Sequence, residues 1–311
     1  MKEAPRAGRD RWRAYLAPAA RRIEESGRRL RRNLYRMRHG KRAAASGISL
    51  MICGARRSGT SSLLHHLSEH PEIRMLYGRD FRGPDGLDSG SPLDTPFAAL
   101  RADPEFQSRM RETVAPFAGH YAHIGWRMDY AMYFPHVLFN LVEQLPDLRL
   151  LFALRNPTDA TYSVWCRGRE RGLEADFETF LGMREEIRPP SDDRAHWARF
   201  YDRVDQIPEP VVRSIYDPFI ARCLRLFPRE RVHVYPFERF VSDPASTLSE
   251  VLAFLGLDPH HRFRTLGEIR SASRKPGEMA PATRARLLDF FSSWNRELVQ
   301  RLGWPRETWE T

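Results

Sequence analysis

A chain of 311 residues with 41% apolar side chains and 18 phenylalanines is long enough to bury one large core or two modest ones. No apolar run approaches the roughly 20 residues that cross a bilayer. The N-terminus also lacks the short apolar segment of a secretion signal, which sets aside the integral-membrane and exported classes and leaves a cytoplasmic protein as the expectation. Cys53, Cys166 and Cys223 form neither an even framework nor a metal-ligand spacing, so they read as reduced structural thiols.

The net charge of +10 is unevenly placed: residues 1–42 hold 15 Lys and Arg against 4 Asp and Glu, so the remaining residues are close to neutral. Within that stretch Trp12, Leu16, Ile23, Leu30, Leu34 and Met37 recur with the period of one helix face, and arginines fill the other positions. A basic amphipathic helix is therefore expected over residues 1–45. It suits an anionic membrane surface, a second subunit, or docking of its apolar stripe on the main domain. Nucleic acid is a poor fit, because aromatics are not interleaved with the basic residues.

From residue 46 to 311 short apolar runs alternate with helical patterns. Strands are expected at "ISLMIC" (48–53), "IRMLY" (73–77), "AHIGW" (122–126), "LRLLFAL" (148–154) and "RVHVYPF" (231–237). Helices are expected at "TSSLLHHLSEH" (60–70), "FPHVLFNLVEQL" (134–145), "EPVVRSIYDPFIARCLRLF" (209–227), "PASTLSEVLAFLG" (244–256) and "PATRARLLDFFSSWNRELVQRLG" (281–303). Such alternation predicts an α/β domain with a central parallel sheet flanked by helices. The insert from Gly78 to Pro96, rich in Gly, Pro and Asp, has the length and make-up of a functional loop.

Two stretches carry the chemistry. Gly54 and Gly59 flank "ARRS" with the spacing of a phosphate-cradling loop, but the lysine that reaches the β and γ phosphates of a nucleoside triphosphate is replaced by Thr60. The amides of Ser58, Gly59, Thr60, Ser61 and Ser62 are expected to meet at a helix N-terminus, where backbone donors and the helix dipole favour an anion. Arg57 adds a fixed cation. About 100 residues on, the buried strand ends in Arg155, where a Mg²⁺-dependent enzyme of this kind places a carboxylate. Ser163, eight residues later, is positioned by a turn and a first helical turn to return beside Arg155. Two phosphate pockets without the triphosphate lysine fit a 3′,5′-bisphosphorylated nucleotide better than ATP. A nucleotide or small-molecule kinase, or a non-catalytic nucleotide-binding interaction protein, stands as the alternative.

"GARRSGTSSLLHHLSEHPEI" resembles the 5′-phosphosulfate loop of the sulfotransferases that use 3′-phosphoadenosine 5′-phosphosulfate (PAPS), and "LRNPTDATYSVW" is similar to their 3′-phosphate motif. The C-terminal "SASRKPGEMAPATRARLLDFFSSWNRELVQRLGW" resembles the basic loop and terminal helix of the heparan sulfate-type carbohydrate sulfotransferases and their bacterial relatives. The resemblance implies a single P-loop-like domain, PAPS as donor, the desulfated bisphosphate PAP as product and no catalytic metal. It places Arg155 and Ser163 on the 3′-phosphate, with Ser273, Arg274 and Lys275 in a covering loop. Arg57 stands where most relatives have Lys; being always charged, it is assigned to stabilising the departing phosphate. Asp80 matches the catalytic base, with His66, His120 and His123 as rivals, and Arg127 falls where relatives carry another active-site cation. The acceptor is expected to be a small molecule, glycan or lipid.

Overall fold

The computed structural model describes residues 26–37, 45–77, 111–129, 147–181, 210–266 and 278–309, with short pieces between 108 and 145. Asp80, Ser273, Arg274, Lys275, the 78–96 insert, Trp12, Leu16, Ile23 and most of the 134–145 segment lie outside the described residues.

Five strands, β1 (Leu50–Gly54), β2 (Ile73–Met75), β3 (His123–Arg127), β4 (Arg149–Leu154) and β5 (Val232–Pro236), form one sheet in the order β2-β3-β1-β4-β5. Every pairing is parallel, as expected of apolar runs buried on both faces. Alternation along the strands divides the core. Leu50, Ile52, Leu151 and Ala153 pack with Leu63 and Leu67 of α1 (Thr60–Glu69) and Leu248 and Leu252 of α5 (Pro244–Phe254). Met51, Cys53, Leu150 and Phe152 pack on the other face with Phe219 and Ile220 of α3 (Asp217–Leu226) and Leu298 of α6 (Pro281–Leu302). The short α4 (Phe237–Ser242) follows β5 directly. The three cysteines are buried and form no disulfide.

The helix expected over 209–227 is broken: a turn at Pro210–Arg213 and then α3. Pro218 lies in the first turn of α3, where a proline is tolerated but cannot donate a hydrogen bond back across the break. α6 ends on Gly303 with φ 68°, the left-handed helix stop that glycine takes without strain.

Residues 26–37 are helical, but Leu30, Leu34 and Met37, the part of the apolar stripe among the described residues, do not pack on the domain. The arginine face does. Arg36 gives two hydrogen bonds to the Glu72 carboxylate, at 2.7 and 2.9 Å, and one to the His120 carbonyl at 3.0 Å. Arg32, 5% exposed, lies 4.3 Å over the Tyr121 ring. Glu72 is buried, and a buried carboxylate requires a cation, so it decides which face turns inward. Leu30, Leu34 and Met37 are left 61%, 57% and 84% exposed. Among the described residues no helix is long and apolar enough to cross a membrane.

Candidate active site

The strand order reverses at β1, which lies between β3 and β4; ligands of open parallel sheets bind at such a point, outside the C-terminal strand ends. The loop after β1 is shaped by two glycines. A Cβ on Gly54 would lie 2.8 Å from the Met132 sulfur, and one on Gly59 only 2.6 Å from the Phe237 ring. Arg57 itself adopts a left-handed φ of 70°, a strained conformation for a residue with a side chain. Ser58 is fully buried, and its N–H is spent on the Ala55 carbonyl at 3.2 Å. The Ser58 amide, expected among the loop donors, is thus committed within the loop itself.

α1 starts at Thr60 without a side-chain cap and without an acidic residue in its first turn. Asn156 caps α2 (Pro157–Arg169) and Asp243 caps α5, whereas α3, α4 and α6, like α1, have no side-chain cap. An uncapped N-terminus keeps its amides and dipole for an external anion. Two of the three hydroxyls at this end have separate tasks. Ser61 accepts a 2.7 Å hydrogen bond from Arg127 Nη1, and Thr60 is bonded to Asp129. Arg127 Nε stands 3.7 Å from the Asp129 carboxylate. Burial pushes the Asp129 carboxyl up, while Arg127, the Thr60 hydroxyl and Arg56 pull it down.

β4 delivers the second half. Arg155 follows its last residue; Nη1 approaches the Arg57 carbonyl at 3.4 Å, and the guanidinium lies 5.3 Å from the Phe237 ring centre. Ser163, in the second turn of α2, accepts a 3.0 Å hydrogen bond from Arg57 Nε. The β4–α2 turn is held by Glu238, which accepts from the Asn156 N–H at 2.8 Å and from the Trp309 indole at 2.7 Å. The first turn of α2 is tied to α6 by Arg284 and Asp159 at 2.8 Å. Burial, then Arg155, Arg167 and Arg56, hold the Arg57 pKa below its ordinary value, against which Glu170 acts weakly. Three guanidiniums, those of Arg57, Arg127 and Arg155, gathered beside a helix N-terminus suit a polyanion, whose charge removes their mutual repulsion.

The structure thus brings together Arg57, Gly59, Thr60, Ser61, Ser62, Arg127, Arg155 and Ser163 at one edge of the sheet, with Ser58 beneath them. The rival histidines lie elsewhere. His123 starts β3 at the opposite edge and bonds the Leu255 carbonyl at 2.8 Å; His66 faces Thr265 at 3.1 Å, against Phe240 and Phe263; His120 precedes β3, where its carbonyl receives Arg36. Sequence reasoning passed over Asp129, Phe237 and Glu238. Asp129 had a visible signal, a carboxylate two residues beyond an arginine at the end of a buried strand. Phe237 and Glu238 had none, because their partners come from distant parts of the chain.

A sequence profile described as the sulfotransferase family matches residues 49–261, the stretch that holds the strands and both loops. The chain belongs to the sulfotransferase family. As a sulfotransferase it is an enzyme of sulfuryl transfer, and the kinase alternative is not favoured. Among curated relatives it is similar to the human heparan sulfate glucosamine 3-O-sulfotransferase 6, with 24% identity over 81% of this chain and 71% of that one. It is also similar to the human bifunctional heparan sulfate N-deacetylase/N-sulfotransferase 3, with 23% identity over 53% of this chain and 21% of that protein. Among solved structures the sulfotransferase from Alicyclobacillus acidocaldarius shares the fold, with a TM-score of 0.61 and 22% identity over 85% of this chain and 99% of that one.

Proposed function

We propose that this sulfotransferase uses PAPS as donor and a hydroxyl or amine of a carbohydrate, lipid or secondary-metabolite acceptor, releasing PAP. The observation that carries the reading is the meeting of two anion-binding elements: Arg57 of the first loop bonds Ser163 of the second, and Arg155 bonds the Arg57 carbonyl. One bisphosphorylated molecule spanning both explains why cations from adjacent strand ends are held so close. The similarity to heparan sulfate sulfotransferases makes glycans the first acceptors to test.

PAPS supplies an activated sulfuryl group joined to its 5′-phosphate. The amides of Gly59 to Ser62, with the Ser61 and Ser62 hydroxyls, hold the 5′ end at the positive terminus of α1. Arg155 and Ser163 hold the 3′-phosphate, and Ser273, Arg274 and Lys275 cover it. Arg57 sits between the two pockets and offsets charge gathering on the departing phosphate. Arg127, fixed at Ser61 and oriented by Asp129, is the cation at the transfer end. Asp80 takes the acceptor proton as the new bond to sulfur forms and the bond from sulfur to the 5′-phosphate oxygen breaks. A strand that ends in Arg155 supports a reaction independent of a divalent metal.

Thermal stabilisation by PAP, AMP and ADP, each with and without Mg²⁺, tests the reading. PAP is expected to give the largest shift, unchanged by metal, and Asp80→Asn is expected to retain that shift while losing turnover. A Mg²⁺-dependent shift with ADP and none with PAP overturns the assignment of the two pockets. Full turnover in Asp80→Asn removes only the base.

A further inference from the structure

The inward turn of the arginine face leaves an apolar strip on the outside of the molecule. Leu30, Leu34 and Met37 follow one another at intervals of four and three, and Arg29 and Arg31 are exposed on the same helical segment. Elsewhere only Val241 and Leu266 are large apolar residues with comparable exposure among the described residues, so the strip is concentrated rather than scattered. The segment lies against residues that precede strands: Glu72 stands before β2, and His120 and Tyr121 before β3. It therefore covers the edge where the strands begin, opposite the loops of the candidate active site.

We propose that this strip is a docking surface for an anionic lipid bilayer. An interfacial helix needs an apolar face to enter the boundary between headgroups and acyl chains and cationic neighbours to meet lipid phosphates. Both are present, and residues 1–42 carry a surplus of basic side chains, 15 against 4 acidic. The same charge disfavours a second copy of the chain, since pairing the strips would bring two strongly basic segments together. Nucleic acid would use the arginines and leave the leucines and methionine in water. On the bilayer, the fixed contacts of Arg32 and Arg36 hold the domain with its catalytic edge turned away from the lipid.

The purified full chain is tested by flotation with vesicles of phosphatidylcholine alone and of phosphatidylcholine with about one third phosphatidylglycerol. Binding is expected to the anionic vesicles only, weakened by salt. It is expected to fall by about tenfold or more in the triple variant Leu30→Gln, Leu34→Gln, Met37→Gln, which keeps its stabilisation by PAP because it leaves both pockets intact. A polarity-sensitive dye on Met37→Cys is expected to shift to the blue when anionic vesicles are added. Absence of vesicle binding, equal binding of wild type and triple variant, an unshifted dye, or a dimer that the triple variant dissolves would each overturn the proposal. Failure of the PAP shift with retained vesicle binding would instead count only against the nucleotide reading.

Discussion

Arg155 shows how one side chain decides between two chemistries. A carboxylate at the end of this buried strand would organise a cation; a guanidinium organises an anion, and here it rests on the Arg57 carbonyl and near the Phe237 ring. Charge-assisted hydrogen bonds contribute about 1.5–3 kcal/mol each. Arg155→Ala is therefore expected to weaken PAP by roughly 10- to 150-fold while changing AMP much less, because AMP lacks the 3′-phosphate. Isothermal titration with both nucleotides measures this, and equal losses would remove Arg155 from the 3′-phosphate pocket. The residue was legible in the sequence because a charge ending an apolar strand needs a partner. Its hydrogen bond to the Arg57 carbonyl was not, since a backbone acceptor 98 residues away leaves no local signal.

The element that carries most of the site is the β1–α1 junction. Its glycine spacing was readable, as were the strands on either side, because period-two burial and a helical pattern bounded by Gly and Pro are local signals. The use of each donor was not readable: Ser58 turns its N–H to Ala55, a choice made by the loop geometry rather than by residue type. Of the alternatives the N-terminal segment offered, docking of its apolar stripe on the domain is not what residues 26–37 do. Glu72, buried beneath them, selected the arginines, and no local pattern announces a partner 36 residues away. Gly59 sets the start of α1 with φ 75° and with Phe237 where a Cβ would stand. Gly59→Ala is expected to destabilise the fold by on the order of 2–4 kcal/mol, from left-handed strain and overpacking, and to reduce the PAP shift. Urea unfolding checks the first part; an unchanged midpoint would mean that the loop relaxes without cost.

At the scale of the whole molecule, stability should depend on pH through a histidine remote from the site. His233 of β5 lies 5.2 Å from the Phe254 ring; burial, with Arg229 and Arg239 nearby, pushes its pKa down to about 4 although Glu250 acts in the opposite sense. The unfolded chain takes up this proton near pH 6.5, so above that value the group contributes no pH dependence. As pH falls from 6.5 towards 4 the unfolded state binds the proton first, and stability declines by no more than about 3 kcal/mol. His233→Phe should flatten this part of the curve in denaturant titrations at pH 7 and pH 5; an unaltered slope would place the loss elsewhere. The fold class was legible because all five strands announce themselves locally, whereas their order across the sheet follows from crossovers that no single segment encodes. That common direction has a further effect. Strands of about five residues, at roughly 3.3 Å each, separate the edge holding both phosphate loops from the edge holding Glu72 by about 17 Å, beyond the range in which substitutions interact. Variation at the two ends is thus nearly independent, so descent can alter where such an enzyme lodges without altering what it modifies, and the reverse.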